Sequence, residues 1–366
     1  MSISDRMTYQ AGMSRQPLYG NFELSPLCNF ACGMCYVRRS PAEVKAQGGL
    51  IPAQRWLEWA KAGKEAGLLW LLLTGGEPFL YPEFLELYEE LAGLGLVLSI
   101  NSNGALIDDR AIKALKRNAP KRINITLYGA SEASYASLCG DPEGFRRVRE
   151  NITRLRENGI RFRFNCSLTR QNYRELPELV EFARQCRTSL EIASYMFPPR
   201  RRGTAERDES CWLTAEEAGA CAAEGMRIQL AEDAFDRYTA SVRKVAEPPA
   251  QRVGEGMELA CRAGRCSFWV NWQGRLCACG MMENPSRSLL ELEFDQAWEA
   301  VVQEVDRLRV LKGCSGCPNL GVCRPCAAMA YCETGSVNGR PEYKCKMLQA
   351  EAAASHKILK QKERAR

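Results

Sequence analysis

Between residues 18 and 196 the chain repeats one alternation, and few folds accept it. Short apolar runs at 18–24, 68–74, 96–101, 122–128, 161–168 and 190–196 have the length and bounded character of buried strands. Separating them are "PAQRWLEWAKAGKEAG", "YPEFLELYEELAGL", "DDRAIKALKR", "EGFRRVRENITRLREN" and "YRELPELVEFARQC", each with apolar residues at the intervals of an amphipathic helix. Strand, helix and strand in repetition predict an α/β fold, a parallel sheet with right-handed crossovers. Six such strands suit a partial (β/α)6 TIM-like barrel better than a closed barrel of eight.

After residue 197 the pattern lapses. "PPRRRGTAERDES" reads as a connector, followed by a helix over 214–224 that starts at a threonine cap. Residues 261–345 hold ten cysteines in 85 positions. There "FWVNWQGRLCAC" alternates around a Gln-Gly turn as a hairpin would, and "EFDQAWEAVVQEVDRL" is an amphipathic helix. The rest is cysteine-studded loop that needs metal for stability. The expected layout is an extension at 1–17, the barrel at 18–200, a connector with a helix at 201–258, the cysteine-rich domain at 259–348, and a charged helix or tail at 349–366.

The formal charge is +6, and the last ten residues, "KILKQKERAR", contribute +4 of it. The body is nearly balanced, which does not support a nucleic-acid footprint. The longest apolar run, "GLLWLLL", is far short of a membrane span, and the first twenty residues contain no signal-peptide core. Eighteen cysteines without an export signal point to a reducing, cytoplasmic location, where thiols serve as metal ligands or small buried hydrophobes. The single histidine, His356, lies in the charged tail, so imidazole is nearly excluded from the chemistry.

"SPLCNFACGMCY" places Cys28, Cys32 and Cys35 in C-x3-C-x2-C spacing just after the first strand, at the end of the barrel where such folds build active sites. Three clustered thiolates suit a cubane iron–sulfur cluster, or a zinc site completed by a distant cysteine. The second strand ends in "LLLTGGEPFL", whose Gly75 and Gly76 allow close backbone approach and whose Glu77 stands at the same rim. The two motifs together resemble those of the radical S-adenosylmethionine (radical SAM) enzymes over residues 18 to about 200.

That resemblance implies that Cys28, Cys32 and Cys35 bind three irons of a 4Fe-4S cluster, and that S-adenosylmethionine is the ligand of the fourth iron. One electron from the cluster would cleave the cosubstrate to methionine and a 5′-deoxyadenosyl radical, which abstracts a substrate hydrogen. It also implies that Tyr36 lies by the adenine and that Gly75, Gly76 and Glu77 form the segment receiving the methionine amino group. Asn101 and Thr126, at the ends of the third and fourth strands, would contact methionine and ribose. Polar caps at strand ends account for those two positions equally well.

Cys261, Gly274 with Cys279, the run Cys314-x2-Cys317-x5-Cys323-x2-Cys326, and Cys345 resemble the SPASM extension of the same enzymes, which binds one or two auxiliary 4Fe-4S clusters. The usual last spacing of that run is C-x3-C. Carried over, Cys314, Cys317, Cys323 and Cys345 hold one cluster, and Cys261, Cys279 and Cys326 belong to another with Cys266 as fourth ligand. Taken alone, "CSGCPNLGVCRPC" reads as a zinc ribbon. Cys277 and Cys332 fall outside the pattern and are candidates for giving a hydrogen atom to a substrate radical. Arg200, Arg201, Arg202 and Arg207 form either a solvated connector or a site for acidic peptide or cosubstrate carboxylate.

The resemblance implies a peptide substrate modified by crosslink, thioether or epimerisation, with a flavodoxin- or ferredoxin-type electron donor. A tetrapyrrole-like small molecule is the alternative, and a non-catalytic metal-stabilised binding module the third. Sulfatase-maturing members carry an Asp where this chain has Gly280, which disfavours formylglycine formation. Seventeen residues before the first strand are too few for a leader-binding domain, so the expectation is either a separate leader-peptide-binding protein or a substrate without a leader.

Overall fold

The computed structural model describes residues 2–204, 206–247 and 254–365; residues 248–253 of the expected connector lie outside them. The six expected strands are β1 (Tyr19–Glu23), β2 (Trp70–Thr74), β3 (Val97–Ser102), β4 (Arg122–Thr126), β5 (Phe162–Ser167) and β6 (Leu190–Ala193). Each pairs in parallel with its successor. The crossover helices Ala53–Glu65, Phe84–Gly93, Asp109–Arg117, Gly144–Glu157 and Leu176–Gln185 fall on the five amphipathic stretches. Asp108 caps one of them by accepting the Ala111 amide.

Leu71, Leu73, Leu98, Ile100, Ile123, Ile125 and Phe164 are almost wholly buried and share one core with helix residues such as Trp56, Leu91, Leu115 and Leu155. Each such side chain contributes about 1.5–3 kcal/mol by leaving water. The alternate strand positions, Asn21, Ser99, Asn101, Asn124 and Asn165, instead line cavities inside the barrel. Period-two alternation thus separates an apolar shell from a polar lumen.

The hairpin expected in the cysteine-rich region forms β7 (Ser267–Val270) and β8 (Arg275–Cys277), joined by β9 (Ser286–Ser288). These strands extend the barrel's own sheet: β7 pairs in parallel with β1, and the order is β6-β5-β4-β3-β2-β1-β7-β8-β9. Phe268 of β7, with Phe294 and Trp298 of helix Phe294–Arg307, belongs to the barrel core. The six-stranded barrel therefore continues directly into the cysteine-rich part.

Two helices clamp the rear. Helix Ala215–Gln229, with its Thr214 capping box, packs along the C-terminal helix Glu342–Ala365. Gly219 marks their contact, since a Cβ there would stand 2.4 Å from the Met347 carbonyl oxygen. Residues Ile3–Ser14 form a helix capped by Ser2, tied to the far side of the chain by the Arg15–Asp306 ion pair at 2.6 Å. No described helix is long and apolar enough to cross a membrane.

Candidate active site

The cysteine loop and the glycine loop are zipped together at the C-terminal rim of β1 and β2. Gly76 donates its amide to the Ser25 carbonyl at 2.7 Å, and Glu77 to that of Leu27 at 2.8 Å. A Cβ on Gly75 would lie 2.4 Å from the Ser25 oxygen, and one on Gly76 2.3 Å from that of Leu27. Both distances are prohibitive, so the two glycines are required by the loop that carries the cysteines, not only by a ligand.

Cys28, Cys32, Cys35, Tyr36, Gly75, Gly76, Asn101 and Thr126 line one cavity of about 350 Å3. Glu77, the third residue of that segment, does not line the cavity. Its side chain is fully buried and accepts the Ser102 hydroxyl at 2.8 Å and the amides of Asn103 and Phe79 at 2.7 and 3.2 Å. Burial pushes its carboxyl up to about 7 against those three donors. Glu77 staples the β2 loop to the β3 loop, and any contact it makes to a ligand in this cavity is through its backbone.

The donors around the thiols suit thiolate ligation. The Phe30 amide lies 3.4 Å from Cys28 Sγ and the Arg38 amide 3.3 Å from Cys35 Sγ. Asn103 Nδ2 stands 3.7 Å from Cys28 Sγ and bonds Asn29 Oδ1 at 2.7 Å. Burial drives Cys28 up to about 12, and repulsion from Glu77, Cys32 and Cys35 adds to it. Three thiolates this close repel each other, and an iron–sulfur core held by Cys28, Cys32 and Cys35 would supply the compensating positive charge. Cys139, a buried thiol, meets Cys32, and that contact is the leading cause of the lowered Cys32 pKa.

Cys314, Cys317, Cys323 and Cys345 line a second, small cavity beside Arg340. Cys279 lies within electrostatic reach of Cys261 and Cys326; burial, then those two thiols, pushes it up to about 11. Backbone amides of Met281 and Met329 approach Cys279 Sγ and Cys326 Sγ at 3.5 and 3.4 Å. Cys266 is buried with Ala11 and Leu18, one residue before β7, and Cys261 is the thiol that acts on it. Among the described residues, no three Cys, His, Asp or Glu side chains converge on one metal ion. A cubane, whose irons each take a separate thiolate, needs ligands around a larger body.

Cys277 and Cys332 differ from the ligand candidates in donating their S–H to carbonyls, of Arg275 at 3.5 Å and Met281 at 3.4 Å. Cys332 is buried. Cys277 faces a neighbouring cavity of about 300 Å3 that shares Tyr36 and Val37 with the first. Gly280 borders that cavity, and a Cβ there would lie 2.5 Å from the Trp269 ring. Trp269 thus occupies the room that an Asp at 280 would need.

Arg200, Arg201 and Arg207 are half-buried and engaged within the protein, while Arg202 is exposed. Arg201 pairs in bidentate fashion with buried Glu23, Arg200 lies over Tyr331 and donates to the Cys332 carbonyl, Arg202 donates to that of Cys35, and Arg207 stacks on Tyr343. Glu23, Trp269 and Asn103 are the site residues that sequence reasoning passed over. A lone Glu inside the apolar run 18–24 was the available signal for the first.

Residues 22–183 match the Radical SAM superfamily, so the six-stranded barrel of this chain is a radical SAM domain. The cofactors of that superfamily are S-adenosylmethionine and a 4Fe-4S cluster, and the cysteine-rich part that follows the barrel has the fold of the solved structures described below. The chain is 25% identical over 337 residues to an AdoMet-dependent heme synthase of Methanosarcina barkeri, covering 88% of this chain and 95% of that one. It is 23% identical over 307 residues to the PqqA peptide cyclase of Rhizobium meliloti, covering 83% and 78%. Its fold superposes on Streptococcus suis SuiB bound to precursor peptide SuiA with TM-score 0.62 at 17% identity, covering 93% and 80%. Native anSMEcpe with bound AdoMet gives TM-score 0.66 at 16% identity, covering 94% and 98%.

Proposed function

We propose that this enzyme modifies a peptide, forming a crosslink or thioether or epimerising a residue. The observation that carries the reading is the pair of adjoining cavities: one is bounded by Cys28, Cys32 and Cys35, the other by β7, β8 and the loop beyond, and they meet at Tyr36. The second holds Trp269, Trp272, Gln273 and Arg275, a mixture of aromatic and hydrogen-bonding groups that suits a peptide backbone entering beside the cosubstrate. Peptide substrates of PqqA peptide cyclase and SuiB are consistent with it.

In this reading Cys28, Cys32 and Cys35 hold the cluster, and two further cysteine groups hold auxiliary clusters. Tyr36, the Gly75 and Gly76 backbone, Asn101 and Thr126 position the cosubstrate. When bound, cluster and cosubstrate supply a 5′-deoxyadenosyl radical that removes one hydrogen from the substrate. Of the two buried thiols, Cys277 rather than Cys332 lines the cavity from which a hydrogen atom could be returned. A flavodoxin- or ferredoxin-type protein supplies the electron, and a separate protein presents the leader.

A tetrapyrrole side chain is the second reading, favoured by the heme synthase match along 95% of that relative. Co-expression with any short peptide encoded beside the enzyme separates the two. Loss of two or four hydrogens, or deuterium uptake at one α-carbon, supports the peptide. An unmodified peptide, with cosubstrate cleavage stimulated by a porphyrin-type metabolite, supports the tetrapyrrole.

A further inference from the structure

The barrel contains a second chamber on the side opposite the cysteine loop. It is open to solvent, has a volume of about 830 Å3, and is bordered by the N-terminal helix Ile3–Ser14 and the inward positions of β1, β3, β4 and β5. In an ordinary barrel, branched apolar side chains fill this space in layers. Here Lys121, Arg122, Arg163 and Arg262 line it.

Their charges are poorly compensated. Arg122 and Arg163 both donate through Nε to Asn124 Oδ1, at 3.0 and 2.6 Å, which brings two guanidinium groups onto one amide oxygen. Arg163 has an acidic partner in Glu191 at 3.0 Å, whose side chain is 63% exposed. Among the described residues Lys121, Arg122 and Arg262 have no carboxylate at ion-pair distance; Lys121 lies over Trp70 and Arg262 over Tyr19. Those two rings stack at 4.9 Å and form a wall of the chamber. Asp5, the acidic residue bordering the space, is engaged in capping Ser2. Four cations around one void repel each other unless an anion occupies it.

A further observation points into the same space. Asn165 Oδ1 is buried without a hydrogen-bond partner, and Asn165 and Asn101 line both this chamber and the cysteine-bounded cavity. Asn124 Nδ2 bridges to Asn101 Oδ1 at 2.7 Å, so one layer of asparagine side chains separates the two.

We propose that this lower chamber is a binding site for a small polyanion bearing carboxylates or phosphates, held by Lys121, Arg122, Arg163 and Arg262 directly beneath the reaction cavity. Its size is within the range of small-molecule sites, and guanidinium groups match both anions in bidentate geometry. The proposal stands apart from the peptide reading, because it is tested by binding without turnover.

The test is calorimetric titration of the full-length protein with pyrophosphate and, separately, with citrate. Lys121→Gln and Arg262→Gln are the variants, because both side chains are exposed and neither supports the core. Lys61→Gln, outside the chamber, is the control. Saturable binding of at least one probe is expected, weakened about tenfold in at least one chamber variant, the loss of one charge-assisted hydrogen bond, and unchanged in the control. Binding of pyrophosphate alone identifies a phosphate site, and of citrate alone a carboxylate site. Absence of saturable binding by either probe overturns the proposal, as does binding that both chamber variants leave within about twofold of wild type.

Discussion

The Glu23 carboxylate, at the end of the first strand, receives both terminal nitrogens of Arg201 at 2.7 and 2.6 Å. Trp269 Nε1 adds a third donor at 3.2 Å, so a barrel strand, the connector and the SPASM-type hairpin meet at one buried carboxylate. With side-chain exposures of 1% for Glu23 and 16% for Arg201, little water is left to replace a lost partner. Arg201→Ala is therefore expected to destabilise the protein by about 3–5 kcal/mol, the penalty of leaving a buried charge unpaired. The double variant Glu23→Leu/Arg201→Met should recover most of that loss in chemical denaturation. Equal stability of Arg201→Ala and wild type would contradict this role for the pair.

Gly76→Ala tests the zipped loops. An added methyl meets the Leu27 carbonyl and must push the cysteine loop off the β2 rim. The expected result is loss of about a third of the iron in reconstituted protein, if each cysteine group holds one 4Fe-4S cluster, together with loss of cosubstrate cleavage. Full iron content in the variant would show that the loop tolerates the shift.

Glu77 gives a pH signature in the cluster-free chain. Its folded carboxyl is raised to about 7 from the ordinary 4.5, so between these values the folded state keeps a proton that the unfolded state releases. Stability must then fall as pH rises through that window and level off above it, by on the order of 3 kcal/mol for a shift of this size. Glu77→Gln, which does not titrate, should flatten this limb of a denaturation series between pH 5 and 7. A limb of unchanged slope in the variant would assign the dependence to other groups.

Among the described residues, Asn103 is the one side chain whose N–H reaches a sulfur of Cys28, Cys32 or Cys35, at Cys28. Hydrogen bonds to ligand sulfur stabilise the reduced cluster and raise its potential. Asn103→Ala is expected to retain the iron and lower the reduction potential of the barrel cluster, read by an EPR-monitored redox titration. An unchanged potential would limit Asn103 to shaping the loop.

The six-stranded core was legible because its periodicity is local: each strand and helix is written in consecutive residues, and parallel connection follows from their order. The pairing of β7 with β1 was not, since it joins Tyr19 to Ser267 across the chain and no periodicity encodes a partner. At the site, the local spacing of Cys28, Cys32 and Cys35 agrees with their lining one cavity, whereas nothing in "GGEP" foretells the side-chain partners of Glu77, Ser102 and Asn103, which come from the β3 end. The arginines after β6 read as surface for the same reason: Glu23, Cys35, Tyr331 and Tyr343, which engage them, are all distant in sequence. Cys266 packs against Ala11 and Leu18, partners from the other end of the chain that its spacing from Cys261 does not foretell.

The most direct test of the account replaces Cys28, Cys32 and Cys35 with Ala in anaerobically reconstituted protein and measures iron together with 5′-deoxyadenosine formed under dithionite. The account predicts that the variant keeps the clusters of the two C-terminal cysteine groups, loses only that of the barrel, and forms no 5′-deoxyadenosine, because only the barrel cluster has an iron open to the cosubstrate. Undiminished cleavage of S-adenosylmethionine by the triple variant would contradict it.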